Sequence, residues 1–338
     1  MTTFLTQRRL QLILEKNNLL RLPGRAWAVR LAVVVGALAL SVPAFAGFTI
    51  NPTFTRNFNA DFGANAVAAQ NAWRAAANVF TSNFSDNIQV NITVDAVADT
   101  SVFGQSNWGT VNNTWAGLRA AVVGDAKTAD DNTSIGAGGS LPVADPAGNG
   151  NWYVTRAEAK ALGIIASDGA NDGITRFGAG YSWTFNGGPP AAGTYDFTGV
   201  AEHEIAEVLG RIGFGGEQNS YTLLDAFSFR GATRVLGDGG GLGAGSFSID
   251  RGTTLLNRFN DHFNLGFDYR DWESANPSTP GDAFNQFSNG AFNPVSQTDL
   301  REMDVIGYDR VTTPEPSSLL LLACGLGIGG FIRRRVKS

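Results

Sequence analysis

The residues most able to do chemistry lie in Tyr195–Arg211, which reads YDFTGVAEHEIAEVLGR. If this stretch is helical, positions i and i+4 share a face, so His203 and Glu207 point the same way. Glu204 sits at the edge of that face. An imidazole and a carboxylate one turn apart can hold a divalent ion, and an adjacent glutamate can take a proton from water bound to it. A carboxylate ligates zinc at about 2.0–2.2 Å, although oxygen donors shift preference toward Mg, Ca and Mn. The competing reading is a solvated helix face, with Glu202, Glu204 and Glu207 in water and His203 satisfied locally. A catalytic ion also needs a third protein ligand, and the downstream choices are Glu217, Asp225, Asp261, His262, Asp268 and Asp271. Asp225 is favoured, because a carboxylate inside Leu223-Leu224-Asp225-Ala226-Phe227 needs a partner if it is buried. An ion pair of Asp225 with Arg211 or Arg230, or a turn cap, is an equal alternative. His262 lies in an Asn/Asp-rich stretch, where an exposed loop histidine is the default.

The rest of the composition narrows the chemistry. The chain has 338 residues and two histidines, His203 and His262, so imidazole chemistry runs through one or both. Its single cysteine, Cys324, falls in a C-terminal apolar run. The body therefore has no disulfide, no thiolate zinc site and no thiol nucleophile. Charge is unevenly spread. Residues 1–46 hold six Lys/Arg and one acid, and 312–338 hold four and one, which leaves 47–311 with 15 basic and 28 acidic residues, net −13. So acidic a body excludes nucleic acid as the expected partner, since phosphates need a basic face. With 43% hydrophobic residues, the chain can bury a sizeable core, and disorder is a poor fit.

Several elements are expected to position the candidate site. Ala64–Phe80 carries Ala, Val, Trp73 and Phe80 at helical spacing and leads into Asn87–Val97, whose alternating Ile and Val predict a strand. Thr114–Ala126 predicts a helix, and Lys127–Asn151, rich in Gly, Asp, Asn and Pro, predicts a loop. Thr155–Ala161 reads as a short helix with Thr155 and Glu158 as a capping box. The run 168–173 (DGANDG) lacks the spacing of an EF-hand and predicts a tight turn, with a structural Ca²⁺ site as the alternative. Tyr181–Asn186 and Phe247–Ile249 predict strands, and the glycine run Gly237–Gly245 a turn rather than a phosphate loop. Ser296 and Asp299 form a further capping box that opens a helix through about Ile306.

The two ends read as addresses. Arg25 and Arg30 flank Ala-Trp-Ala-Val and precede an apolar stretch, Leu31–Val42, followed by Ala44-Phe45-Ala46. That pattern predicts a secretory signal over 1–46. At the other end, Pro314-Glu315-Pro316, Leu319–Ile332 and Arg333-Arg334-Arg335 resemble a PEP-CTERM sorting signal. The resemblance implies export to the envelope or beyond, and handling by an exosortase. The arginines would stay cytoplasmic. The 14 apolar residues span about 21 Å, short for a comfortable crossing, so 312–338 is expected to anchor only transiently.

The body carries a second resemblance. The run His203-Glu204-Ile205-Ala206-Glu207-Val208-Leu209-Gly210 is similar to the H-E-x-x-H-x-x-G motif of metzincin-like zincins, with Gly210 at the matching glycine. VSQTDLREMDVIGYD, residues 295–309, resembles the closing helix and Gly-Tyr end of such enzymes. Together with YTLLDAFSFR, FSIDRGTTLLNRFN and DAFNQFSNG, it makes 47–311 resemble a family of PEP-CTERM-tailed metalloproteases whose motif is H-E-x-x-E. The resemblance implies an α+β, zincin/metzincin-like fold: a mixed sheet, an active-site helix and a C-terminal closing helix. It further implies a zinc-dependent metalloendopeptidase acting on protein or peptide, with Zn²⁺ on His203 and Glu207 and with Glu204 as general base. Two parts of the pattern are missing. The residue three past the glycine is Gly213, not a ligand, and Met303 falls inside the closing helix rather than in a Met-turn. A silent surface or matrix protein on the same scaffold, or a Ca²⁺-dependent carbohydrate or biofilm binder, are the alternatives.

Overall fold

The computed structural model describes residues 47–237, 244–262, 268–273, 281–286, 288 and 290–311. The expected signal over 1–46 and the sorting tail over 312–338 lie outside them, as does most of the glycine run. Among the described residues, no helix is long and apolar enough to cross a membrane.

In chain order the elements begin with β1 (Thr49–Phe54), α1 (Arg56–Phe62), α2 (Ala66–Asn83), β2 (Gln89–Val97), β3 (Gly104–Trp108) and β4 (Thr110–Asn113). Next come α3 (Trp115–Asp125), α4 (Ala129–Ile135), β5 (Asn151–Thr155), α5 (Arg156–Ala161), β6 (Gly173–Gly178), β7 (Trp183–Thr184) and β8 (Tyr195–Asp196). The chain continues with α6 (Phe197–Leu209), β9 (Ser220–Thr222), β10 (Ser228–Arg230), β11 (Thr233–Arg234), β12 (Ser246–Phe247) and α7 (Gln297–Val305). The class is α+β with mixed sheets. The largest sheet has the order β1-β2-β6-β3. Its first three strands are parallel, and β3 runs antiparallel along the β6 edge.

Side-chain periodicity explains how this sheet is covered. In β2 the alternation buries Val90, Ile92, Val94 and Ala96 on one face. Helix α2 turns Ala69, Trp73, Ala76 and Phe80 toward them. Trp73 cannot bury its indole N–H unpaired, and it donates to Thr175 Oγ1 on β6 at 3.1 Å. Helix α6 packs against α2, β3 and β6, so the segment with the chemistry lies inside the core and not on its surface.

Most expected elements form, with local differences. The helix expected from Ala64 starts at Ala66, after a short 3₁₀ turn at Gly63–Asn65. Thr155 and Glu158 cap α5, and Ser296 and Asp299 cap α7, each reciprocally. The loop expected over Lys127–Asn151 contains α4, which Thr128 and Asp131 cap in the same manner. Tyr181–Asn186 keeps only a two-residue strand, and Phe247–Ile249 shifts to Ser246–Phe247. The acids of the 168–173 turn meet cations supplied by the protein itself. Asp168 pairs with Arg156 at 3.0 Å and Asp172 with buried Lys160 at 2.7 Å. The segment bends at Gly169 and Ala170, where Ala170 N donates to Asp168 Oδ1.

Candidate metal centre

Helix α6 is fixed at both ends. Asp196 caps its start, accepting from Thr198 N through Oδ1, while its Oδ2 accepts from Asn293 N. Gly210 closes it at φ +122, and a Cβ there would lie 2.6 Å from Glu158 Oε2. Only glycine turns the chain back at that point without strain. Tyr308 Oη donates to the Leu209 carbonyl at 2.6 Å and satisfies one of the helix's orphan acceptors.

The solvated-face reading fails on burial. Glu202, Glu204 and Glu207 are each only 5% exposed. Glu202 points to the back of the helix and accepts from Val295 N. Glu207 and His203 meet Asp271 around one point. His203 Nε2 is 3.6 Å from Glu207 Oε1 and 3.6 Å from Asp271 Oδ1. Ligand atoms of His203, Glu207 and Asp271 all lie within 4.8 Å of one another, the one such group among the described residues. The opposite ring nitrogen, Nδ1, lies 2.8 Å from the Ala283 carbonyl. Donation from Nδ1 to that carbonyl orients the ring and turns Nε2 toward the carboxylates. Ser106 Oγ on β3 donates to Glu207 Oε2 at 2.5 Å, so the other oxygen, Oε1, is the one turned inward. The donor set fits a divalent ion: the 3.6 Å spacings are close to those of two atoms each about 2.1 Å from a shared cation.

Arg211, fully buried one turn beyond Glu207, completes the cluster. Its Nη1 contacts Asp271 Oδ1 at 2.5 Å and its Nη2 lies 3.6 Å from Glu207 Oε1. The guanidinium stacks 4.6 Å from the Phe284 ring centroid. Burial and Arg211 push the His203 imidazolium down, but Asp271 and Glu207 outweigh them and hold its pKa at about 9. Burial also raises Asp271 to about 6 against the pull of His203 and Arg211. Glu207 is held below the usual carboxylate range despite burial, by His203, Arg211 and Ser106. Glu204 behaves oppositely: burial and then the charge of Glu207 push its carboxyl well up. It lies tight against β3, where a Cβ on Gly104 would come within 2.3 Å of Glu204 Oε1.

His203, Glu204 and Asp271 line a cleft of about 460 Å³, whose walls include Phe103, Tyr181 and Tyr195. Glu207 sits behind them. The aromatic wall is continuous, since Phe103 packs on both Tyr181 and Tyr195 at 4.9 Å between centroids.

Asp225, the favoured third ligand, goes elsewhere. It is fully buried and accepts from Arg270 Nε at 2.7 Å, from Thr222 N at 2.7 Å and from Phe214 N at 3.2 Å. An ion pair was one open alternative for Asp225, but its partner is Arg270 and not Arg211 or Arg230. The next residue, Asp271, is the carboxylate that reaches His203. Arg270 has φ +71 and Trp272 is buried, stacked on Phe259 and bonded to Asp299. Successive side chains of this segment are thus pinned to different parts of the core, and Asp271 is left to face α6. Glu217 accepts from Tyr269 Oη, and His262 stacks on the Tyr269 ring at 4.0 Å. Neither belongs to the ligand group. Asp268 lines the cleft without joining it. Ser106 and Ala283 had no signal in the sequence, and Arg211 was weighed only as a partner of Asp225, because their roles depend on which strand and loop pack beside α6. Compared with protein-family models, curated proteins and solved structures, the chain matches none.

Proposed function

We propose that residues 47–311 form a zincin-like metallopeptidase body, exported through a signal in 1–46 and sorted by the 312–338 tail through an exosortase. One observation carries the reading: His203 Nε2, Glu207 Oε1 and Asp271 Oδ1 converge beside an open cleft. His203, Glu207 and Asp271 would hold the ion, Zn²⁺ or a harder divalent metal favoured by two oxygen donors. Such an ion, when bound, supplies Lewis acidity toward a carbonyl and toward water. Glu204 is the general base. It would take a proton from water and pass it to the leaving amine; burial and then the charge of Glu207 raise its carboxyl. Arg211 and Ser106 act through the ligands: Arg211 holds Asp271, and Ser106 holds the outer oxygen of Glu207. The aromatic wall of Phe103, Tyr181 and Tyr195 would take an apolar side chain of a peptide. The test is cleavage of a peptide library by the wild-type chain and by Glu204→Gln. Metal-dependent cleavage lost in the variant supports the reading, and equal cleavage in both contradicts it.

A second reading rests on Arg211. Its contact with Asp271 already places one positive charge among the three donors, so the cluster is able to stand as a self-satisfied ion-pair network on a silent scaffold. Absence of divalent-metal binding by the folded chain would favour it.

A further inference from the structure

Far from α6 in sequence, a second cleft of about 620 Å³ is lined by Arg119 of α3, Arg234 of β11 and Arg251. The glycine-rich segment 136–139 and the Leu141–Pro146 loop border it. In a body of net charge −13, three arginines in one cleft call for a counter-charge, yet none of them forms an ion pair with a carboxylate among the described residues. The acid in the lining, Asp145, is committed to its own turn. Its Oδ1 accepts from Trp152 Nε1 and Ala147 N, and its Oδ2 from Gly150 N.

Arg119 and Arg234 are held by backbone carbonyls. Arg119 Nε donates to Leu141 O at 3.3 Å. Arg234 Nη1 donates to Ser140 O at 2.8 Å and to Ala226 O, and its guanidinium lies over the Phe229 ring. The Arg251 backbone N–H donates to Ser140 Oγ at 3.0 Å, which ties the third arginine to the same loop. These contacts orient the side chains of Arg119 and Arg234 but use only Nη1 of Arg234 and Nε of Arg119, and the Arg251 side chain is exposed at the cleft. The other guanidinium donors of the trio have no protein acceptor among the described residues. Planar guanidinium groups held in this way match the paired oxygens of phosphate, sulfate or carboxylate.

We infer that this cleft is an oxyanion-binding site, in which Arg119, Arg234 and Arg251 grip a phosphate, sulfate or carboxylate group of a ligand. Its volume suits a small molecule or one unit of a larger one. Burial, and then the like charge of Arg251, push the Arg234 guanidinium down to about 10. A bound anion relieves that repulsion. The inference is independent of the metal centre and stands or falls without it.

The experiment is isothermal titration of the full chain with sodium phosphate, sulfate and acetate, each against sodium chloride at matched ionic strength. Metal is stripped beforehand with a chelator that is then dialysed away, so that no anion reads out through a bound metal. The wild-type chain is expected to bind at least one of the three saturably and beyond chloride. The double variant Arg119→Gln/Arg251→Gln spares the more buried Arg234 and is expected to bind about tenfold more weakly or worse. Arg301→Gln, which removes an arginine paired to Asp130 outside the cleft, is expected to bind like wild type. No oxyanion binding beyond chloride, or equal loss in Arg301→Gln, overturns the inference. Unchanged binding in the double variant, with circular dichroism showing it folded, overturns it as well.

Discussion

Ser106 and Glu207, 101 residues apart in sequence, are joined by a 2.5 Å hydrogen bond from the hydroxyl to Glu207 Oε2. The bond ties the edge strand to the site helix and decides which glutamate oxygen faces His203. Ser106→Ala should therefore weaken divalent-metal binding about 10–100-fold, the usual cost of losing a partner behind a ligand. Ser106→Thr, which keeps the hydroxyl, should restore most of it. Competition against a chromophoric chelator reads both values.

Gly104 allows β3 to approach Glu204. A Cβ at that position would lie 2.3 Å from Glu204 Oε1 and 2.7 Å from Val200 Cγ1. Gly104→Ala should cost about 1–3 kcal/mol through overpacking and should lower peptide cleavage more than metal binding, because the displaced group is the base and not a ligand. Thermal melts and metal titration separate the two effects.

Asp225 and Asp271 should part company in the same assays. Asp225→Asn leaves the buried Arg270 without its charge partner and should destabilise the fold by about 3–5 kcal/mol. Asp271→Asn should abolish tight metal binding, which Asp225→Asn spares, and should also cost stability because it leaves the buried Arg211 with Glu207 alone, at 3.6 Å. Denaturant melts beside metal titration show which carboxylate serves the core and which the centre.

How far the sequence was legible follows from the range of the interactions. His203, Glu204 and Glu207 were visible because helical spacing alone sets their relation. The caps of α5 and α7 were visible for the same local reason, and Thr128 with Asp131 carried that signal too, hidden in a stretch whose Gly and Asp content suggested a loop. Asp271 was only one of six acidic or imidazole choices. Its contact with Arg211 spans 60 residues and depends on Arg270 and Trp272 being anchored on either side. The burial argument for Asp225 was sound, since that side chain is buried and does require a partner, but the partner is a guanidinium. The parallel β1-β2-β6 pairing with β3 at the edge was equally out of reach, because pairing order is set by tertiary packing.

Away from the cleft, Asp86, Asp125 and Asp304 give the fold a pH dependence. Burial and then Asp309 raise Asp86 and Asp125, each to about 7; burial and the charge of Asp131 raise Asp304 to about 7 against a bond from Thr128. Unfolded, these carboxyls titrate near 3.8, so between the two values the folded state binds more protons. Their contribution to stability is therefore lost as pH rises from about 4 to about 7, and is level above that. The melting temperature should fall across this interval, and Asp86→Asn should flatten the slope. Melts taken every half unit of pH check the sign.

The central claim is that His203, Glu207 and Asp271 share one divalent ion. Its most direct test is the metal content of the full-length chain, purified after equilibration with zinc and with manganese and measured by mass spectrometry beside His203→Ala. The account predicts one divalent ion per wild-type chain and none in a folded His203→Ala. A folded wild-type chain that carries no metal, or a variant that keeps its full complement, would contradict it.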